Sequence, residues 1–172
     1  MVGGVGVVGM QPQLDAAITG VRAAKFRKWV RSALAAYREE AGMVQTITVE
    51  TPGKDAVVDS TDMVERSLRG QERDDGVCVV FAAHTTCALT TADLDPGTDR
   101  DLLEALRKVL PAMRYRHPHD PAHAPDHILA SLIGPSVAAP FQGKRLLLGT
   151  WQRIVLVELD GPRQRTLRLA AM

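Results

Sequence analysis

The sequence predicts an α+β domain with largely antiparallel β-sheets, preceded by a helical extension. Three observations carry this. The elements fall in the order ββαβ, then αα, then βββ, rather than in strict alternation, which argues against a parallel βαβ sheet. Residues 77–83, VCVVFAA, form one unbroken apolar run, the pattern of a strand buried on both faces. The last third repeats short apolar segments separated by turn sequences.

The chain has 172 residues, enough for one domain with an appendage. A hydrophobic content of 45% suffices for a core, and a net charge of +1 gives no basic field of the kind that marks a nucleic-acid binder. No apolar run reaches the roughly 18 residues that a membrane span needs. Two cysteines make no disulfide framework, which places the protein in a reducing cytoplasm.

Residues 1–10 hold only Gly and Val besides methionine, without the charged start of a secretory signal. Residues 12–40 read as a helix, with Leu14, Ile18, Val21, Trp29, Val30, Leu34 and Tyr37 at helical spacing and a basic polar side. Such a helix packs on its own domain or a neighbouring subunit, or lies on a membrane or partner surface. Gly42 ends it. Residues 1–42 are therefore an extension, and residues 43–172 are the functional unit.

Residues 44–50, VQTITVE, read as a strand, and Val57-Val58 as a short second one. Ser60 or Thr61 caps a short helix with Met63, Val64 and Leu68 inward. After the central strand come His84, Thr85 and Thr86, then an acidic loop with Asp93 and Asp95. Thr98 and Asp101 have the spacing of a capping box, opening a helix that Pro111 stops. Asp126 is the expected cap of a further helix over residues 127–133. Residues 146–148, 154–159 and 166–169 read as the closing strands.

Polar side chains at the mouth of a buried strand sit where rigid scaffold meets loop, and binding groups collect there. That singles out His84, Thr85 and Thr86. Residues 111–126, PAMRYRHPHDPAHAPD, add Arg116, His117, His119 and His123 on a proline-stiffened loop, with His127 just beyond. If His84 faces this loop, three imidazoles and a water would make an open tetrahedral zinc site. The plainer reading is a set of surface histidines on a polar loop. Arg163 and Arg165 follow the Asp160-Gly161-Pro162 turn, either binding phosphate through their planar forks or decorating an exposed strand. Gln152 stands at a strand start, as a ladder neighbour or a ligand contact.

The succession of HTT at 84–86, YRH at 115–117, DH at 126–127, IGPSV at 133–137, LLLGTWQ at 146–152 and ELDGPR at 158–163 resembles the YjbQ family, whose members are called secondary thiamine-phosphate synthases. The resemblance covers residues 43–172. It implies a fold with β-sandwich character, a homotrimer, and a divalent metal, zinc or magnesium, on His84, His117 and His127. It implies transfer of a hydroxymethylpyrimidine diphosphate onto a thiazole phosphate with release of pyrophosphate. His84, Asp93 and Arg163 are then the candidate catalytic residues. Thr85, Thr86, Arg116 and Gln152 are the candidate contacts to a small phosphorylated substrate. One departure is Ala92-Asp93, where the family has Asn-Glu, which leaves the carboxylate on a shorter arm. Two alternatives stand beside the transferase: a metal-dependent hydrolase of a small phosphorylated compound, in which three histidines activate a water, and a non-catalytic module that binds a phosphorylated ligand.

Overall fold

The computed structural model describes residues 44–172 together with residues 26, 28 and 30–32. The five isolated residues are helical, and the rest of the helix expected over 12–40 lies outside the described residues. The chain divides into two units, Met1–Ala41 and Gly42–Met172. Among the described residues no helix is long and apolar enough to cross a membrane.

The second unit is α+β with antiparallel pairing throughout. Its elements are β1 (Gln45–Glu50), β2 (Ala56–Asp59), α1 (Thr61–Leu68), β3 (Gly76–Ala82), β4 (Cys87–Ala92), α2 (Thr98–Val109), a 3-10 turn (Pro121–His123), α3 (Ala124–Ile133), β5 (Ser136–Gln142), β6 (Arg145–Leu146), β7 (Arg153–Glu158) and β8 (Gln164–Ala171). They form a five-stranded sheet, β1-β8-β3-β5-β6, and a three-stranded sheet, β2-β7-β4.

Two cores hold three layers together. Ile47, Val49, Val80, Phe141, Leu167 and Leu169 of the larger sheet pack with Leu89, Ile154 and Leu156 of the smaller one, and Val64 and Leu68 of α1 join them. On the other side of the smaller sheet, Val155, Val157 and Leu159 pack with Leu129 and Ala130 of α3 and with Leu103 and Leu106 of α2. The middle strand, β7, is thus buried on both faces, from Ile154 to Glu158. Each fully buried aliphatic side chain contributes about 1.5–3 kcal/mol.

The strand expected to be buried on both faces was β3, and here the structure differs. Burial alternates along β3, with Cys78, Val80 and Ala82 inside and Val77 and Phe81 left 40% and 45% exposed. The helices α2 and α3 cover the smaller sheet instead, and among the described residues no element packs on the outward side of β3.

Two strands carried too weak a sequence signal. β4, CALTTA, occupies what reads as an acidic loop, and β5, SVAAPFQ, contains a proline that demotes it. Pro140 nonetheless pairs opposite Val77. Its carbonyl accepts the Leu147 N–H at 2.9 Å, away from β3, so its missing N–H removes no bond from the β3 ladder.

All three expected caps differ: Ser60 stands at the cap position of α1, but its hydroxyl turns back to the Val58 carbonyl and caps no helix N–H. Gly97, with φ of 99°, precedes α2 in a left-handed conformation that favours glycine. The Thr98 hydroxyl turns back to the Asp95 carbonyl instead of forming a capping box. The last helix begins at Ala124, so Asp126 lies inside its first turn, fully buried.

Candidate functional site

The site lies at the end of the sandwich where β3 gives way to β4 and β7 to β8. Period-2 alternation along β7 and β8 aims Glu158 and Arg165 inward, in phase with Leu156 and Leu167. Both are buried. The Arg165 Nε donates to Glu158 Oε2 at 2.6 Å, and its Nη2 donates to Oε1. Two further donors complete the carboxylate: Thr51 Oγ1 at 3.0 Å and the Asp160 N–H at 2.8 Å. Burial pushes the Glu158 carboxyl up, but the Arg165 bonds, the Asp160 and Thr51 bonds and the Arg165 charge hold it below its ordinary value. The Glu158 bonds in turn raise the Arg165 guanidinium against the cost of its burial.

This ion pair supports the loops above it. Arg165 Nη2 donates to Thr86 Oγ1 at 3.0 Å, and the Leu159 N–H to the Thr86 carbonyl at 3.1 Å, which fixes the segment that carries His84 and Thr85. The Thr51 hydroxyl accepts the Arg163 N–H at 2.9 Å. A Cβ on Gly161 would fall 2.5 Å from the Gly53 carbonyl oxygen and 2.8 Å from Glu158 Cγ, so only glycine allows this turn to seat.

Above the pair lies a cleft of about 520 Å³ lined by His84, Thr85, Thr86, His127, Arg163 and Arg165, among others. Arg163 donates from Nε to the Asp160 carbonyl at 2.7 Å and from Nη2 to Asp160 Oδ2 at 2.8 Å. Among the described residues its Nη1 has no hydrogen-bond partner. His84 accepts the Thr166 N–H at Nε2, at 2.7 Å. Burial and then the Arg165 charge hold its imidazole below the usual range, against an opposing pull from Glu158. His127 enters from α3 with Nδ1 3.1 Å from the Thr85 carbonyl oxygen. A carbonyl only accepts, so Nδ1 carries the proton and Nε2 keeps its lone pair. His117 stacks on this ring at 5.1 Å and 18° between planes.

His84, Thr85, Thr86, His127 and Arg163 therefore converge as the sequence suggested. Asp93 and Gln152 do not. Register pairs Cys87 with Glu158 and Ala92 with Arg153. Asp93 and Gln152 thus stand at the far end of the smaller sheet, about 20 Å of strand away. Asp93 accepts the Asp95 N–H in a local turn, and Gln152 accepts the Gly149 N–H. The error has one source: with β4 read as loop, Asp93 looks adjacent to His84. Arg116 lines a neighbouring pocket with Arg114, Tyr115, His117 and Pro121.

The three-histidine metal site does not fit this arrangement. A neutral imidazole has one lone pair, and a metal needs it. His84 uses its pair on the Thr166 N–H, and His117 uses its own, at Nδ1, on the Asp120 N–H at 3.2 Å. Only His127 keeps one free. Among the described residues no group of three His, Cys, Asp or Glu side chains is placed to hold a metal ion.

Sequence reasoning also missed Glu158 and Asp126. Alternation in phase with Leu156 was the available signal for Glu158. Asp126 was read only as a helix cap within the DH motif, and its ion pairs left no local signal, because its partners come from other segments: Lys54 Nζ at 2.9 Å and Arg107 Nη1 at 2.6 Å.

The family model described as UPF0047 protein YjbQ-like matches residues 45–172. The chain belongs to this family. It is 43% identical to a UPF0047 protein of Mycobacterium tuberculosis over 118 residues, 66% of this chain and 86% of that one. It is 38% identical to a UPF0047 protein of Archaeoglobus fulgidus over 127 residues, 73% of this chain and 98% of that one. The crystal structure of a YbjQ-like protein of unknown function from Sulfolobus solfataricus superposes with a TM-score of 0.69 at 31% identity, covering 76% of this chain and 96% of that chain.

The family and the α+β fold stand as expected. The thiamine-phosphate synthase expectation is corrected. These UPF0047 relatives are described by family alone, and the Sulfolobus protein as one of unknown function, so membership brings no synthase activity with it. The two phosphorylated-compound alternatives lose their ground in the same way, and the hydrolase also loses its three-histidine water site.

Proposed function

We propose that this UPF0047 protein is an enzyme that removes a proton next to a carbonyl on a small oxyanion-bearing molecule. One observation carries the reading: His127 Nε2 holds a lone pair on a ring fixed twice over, by the Thr85 carbonyl and by the stack on His117. A positioned base of this kind contributes about 10²–10⁴-fold. The open Nη1 of Arg163 supplies charge to anchor an oxyanion. Neutral His84 accepts at Nε2, so its Nδ1 carries a proton and can donate to a developing oxyanion. In the step, the C–H bond breaks and its electron pair forms a C=C bond to the carbonyl carbon, the carbonyl π pair moves to the oxygen, and the proton goes to His127 Nε2.

The test is deuterium exchange from D₂O into a panel of small 2-oxo and 3-oxo carboxylates, followed by proton NMR. Wild type accelerates exchange on at least one, His127→Gln abolishes it, and Arg163→Gln weakens substrate binding. Folded wild type that exchanges none of the panel sinks the reading.

Association as a homotrimer belongs to the same proposal. Val77 and Phe81 on the open side of β3, with Ala138 and Pro140 exposed beside them on β5, supply an apolar face for a second copy. A reducing, cytoplasmic setting is supported by Cys78 and Cys87, both buried and unpaired.

A further inference from the structure

Four arginines bear on the proposed site, and they differ in one respect. Arg163 and Arg165 each have a carboxylate partner. Arg114 and Arg116 have none among the described residues. They lie two residues apart on the segment between α2 and the 3-10 turn, and both line a pocket of about 500 Å³ with Tyr115, His117 and Pro121. No carboxylate lines that pocket. Exposed arginines are ordinary; two without a counter-charge facing one concavity concentrate positive potential where an anion can be enclosed.

The segment is held in place at both ends. Tyr115 Oη donates to the Pro111 carbonyl at 2.7 Å. The Asp120 N–H donates to His117 Nδ1, and Asp120 Oδ1 accepts the Ala122 N–H at 2.9 Å. Because His117 accepts at Nδ1, its Nε2 carries a proton and adds a third donor to the pocket wall. The pocket adjoins the cleft through a single partition, since the His117 ring lining one stacks on the His127 ring lining the other.

We infer that Arg114 and Arg116 form a second oxyanion subsite, so that the ligand is a small molecule anionic at both ends. One end pairs with Arg163 beside His127, and the other reaches across the stacked imidazoles to Arg114 and Arg116. The two-ended ligand rests on the function proposed above; the subsite itself does not.

The experiment uses the full chain at low ionic strength, where surface fields are least screened. Arginine Nε–H signals are followed by NMR while sulfate is added. Calorimetry then compares a series of α,ω-dicarboxylates, from succinate to suberate, with monocarboxylates of equal length. The inference expects sulfate to shift Arg114 and Arg116. It expects one dicarboxylate length to bind at least tenfold tighter than its monocarboxylate, with that preference lost in the Arg114→Gln, Arg116→Gln double variant. Both residues are exposed, so the double variant keeps the fold. Sulfate that leaves Arg114 and Arg116 unshifted overturns the inference. So does a loss in the double variant that is equal for every anion, because a diffuse field would produce it. A response at Arg114 and Arg116 with none at Arg163 upholds the subsite and removes the proposed function. A response at Arg163 alone does the reverse.

Discussion

Glu158 and Arg165, seven residues apart on consecutive strands, close one end of the sandwich core as a buried ion pair beneath Thr86. Burying two charges costs several kcal/mol per ion, which mutual attraction repays only when every polar atom is satisfied. Here that condition holds, since among the described residues no buried side-chain nitrogen or oxygen lacks a hydrogen-bond partner. What the pair yields is placement: Thr51, Thr86 and the Asp160 turn all bond to it, and the cleft stands on those three segments.

Breaking the pair from one side is expected to destabilise strongly. Glu158→Gln or Arg165→Met leaves a buried charge without its partner and costs about 3–5 kcal/mol. The double change Glu158→Leu with Arg165→Met costs far less than the sum of the single changes. Urea unfolding of the four proteins measures this; additive losses would show that the two residues do not act as a pair.

The same pair sets an acid limit. The Glu158 carboxyl is held below its ordinary value of 4.5, so its contribution to stability is fully present above that value. As pH falls, the unfolded chain takes up the proton first, and the contribution is lost through the folded-state value. Wild type is expected to lose stability steeply below pH 4.5, and Glu158→Gln less steeply. Parallel curves for the two proteins would contradict this.

His84 is expected to titrate below 6.5, because burial and Arg165 both disfavour its charged form. Its sign matches that of Glu158: folding loses stability as pH drops through 6.5, because the unfolded chain binds the proton more readily. Glu158→Gln removes the one opposing pull and lowers the His84 value further. Proton NMR of the imidazole reads both, and an upward shift in the variant would refute the assignment.

Asp126 precedes His127 and anchors its helix from beneath. Its side chain is 1% exposed and holds both Lys54 and Arg107. Asp126→Ala is expected to cost about 3–5 kcal/mol. Lys54, with 46% of its side chain exposed, is screened by water, and Lys54→Met costs under about 1 kcal/mol. Thermal unfolding separates the two; equal losses would mean that Asp126 is held by something other than burial.

The open side of β3 gives a prediction about assembly. Phe81→Arg puts a charge on the exposed apolar face without touching the inward row of Cys78, Val80 and Ala82. Sedimentation equilibrium is expected to show a trimer for wild type and a monomer for the variant, with unchanged far-UV circular dichroism. A trimer in both moves the interface elsewhere.

Much of the domain was legible because local patterns carry it. The alternation of residues 44–50 gave β1, and the spacing of Met63, Val64 and Leu68 gave α1. β4 escaped because its two alanines are poor strand formers and CALTTA shows no clean apolar–polar alternation, so that pairing with β7 holds it. The misplacement of Asp93 followed from that omission, since a missing strand turns opposite ends of a sheet into neighbours; Gln152 already stood at the start of β7, the end opposite Glu158.

By itself the sequence determined the α+β class and which short motifs, HTT, DH and DGPR, carry polar groups at element ends, because these follow from patterns along the chain; the family came from the resemblance of that motif succession. Only the tertiary structure decided which ends meet, and what each imidazole is free to do. A backbone N–H from Thr166, eighty-two residues from His84, takes up that ring's lone pair, while a carbonyl from Thr85 leaves the lone pair of His127 exposed. Hydrogen bonds between segments remote in sequence assign those roles, and no local pattern encodes them.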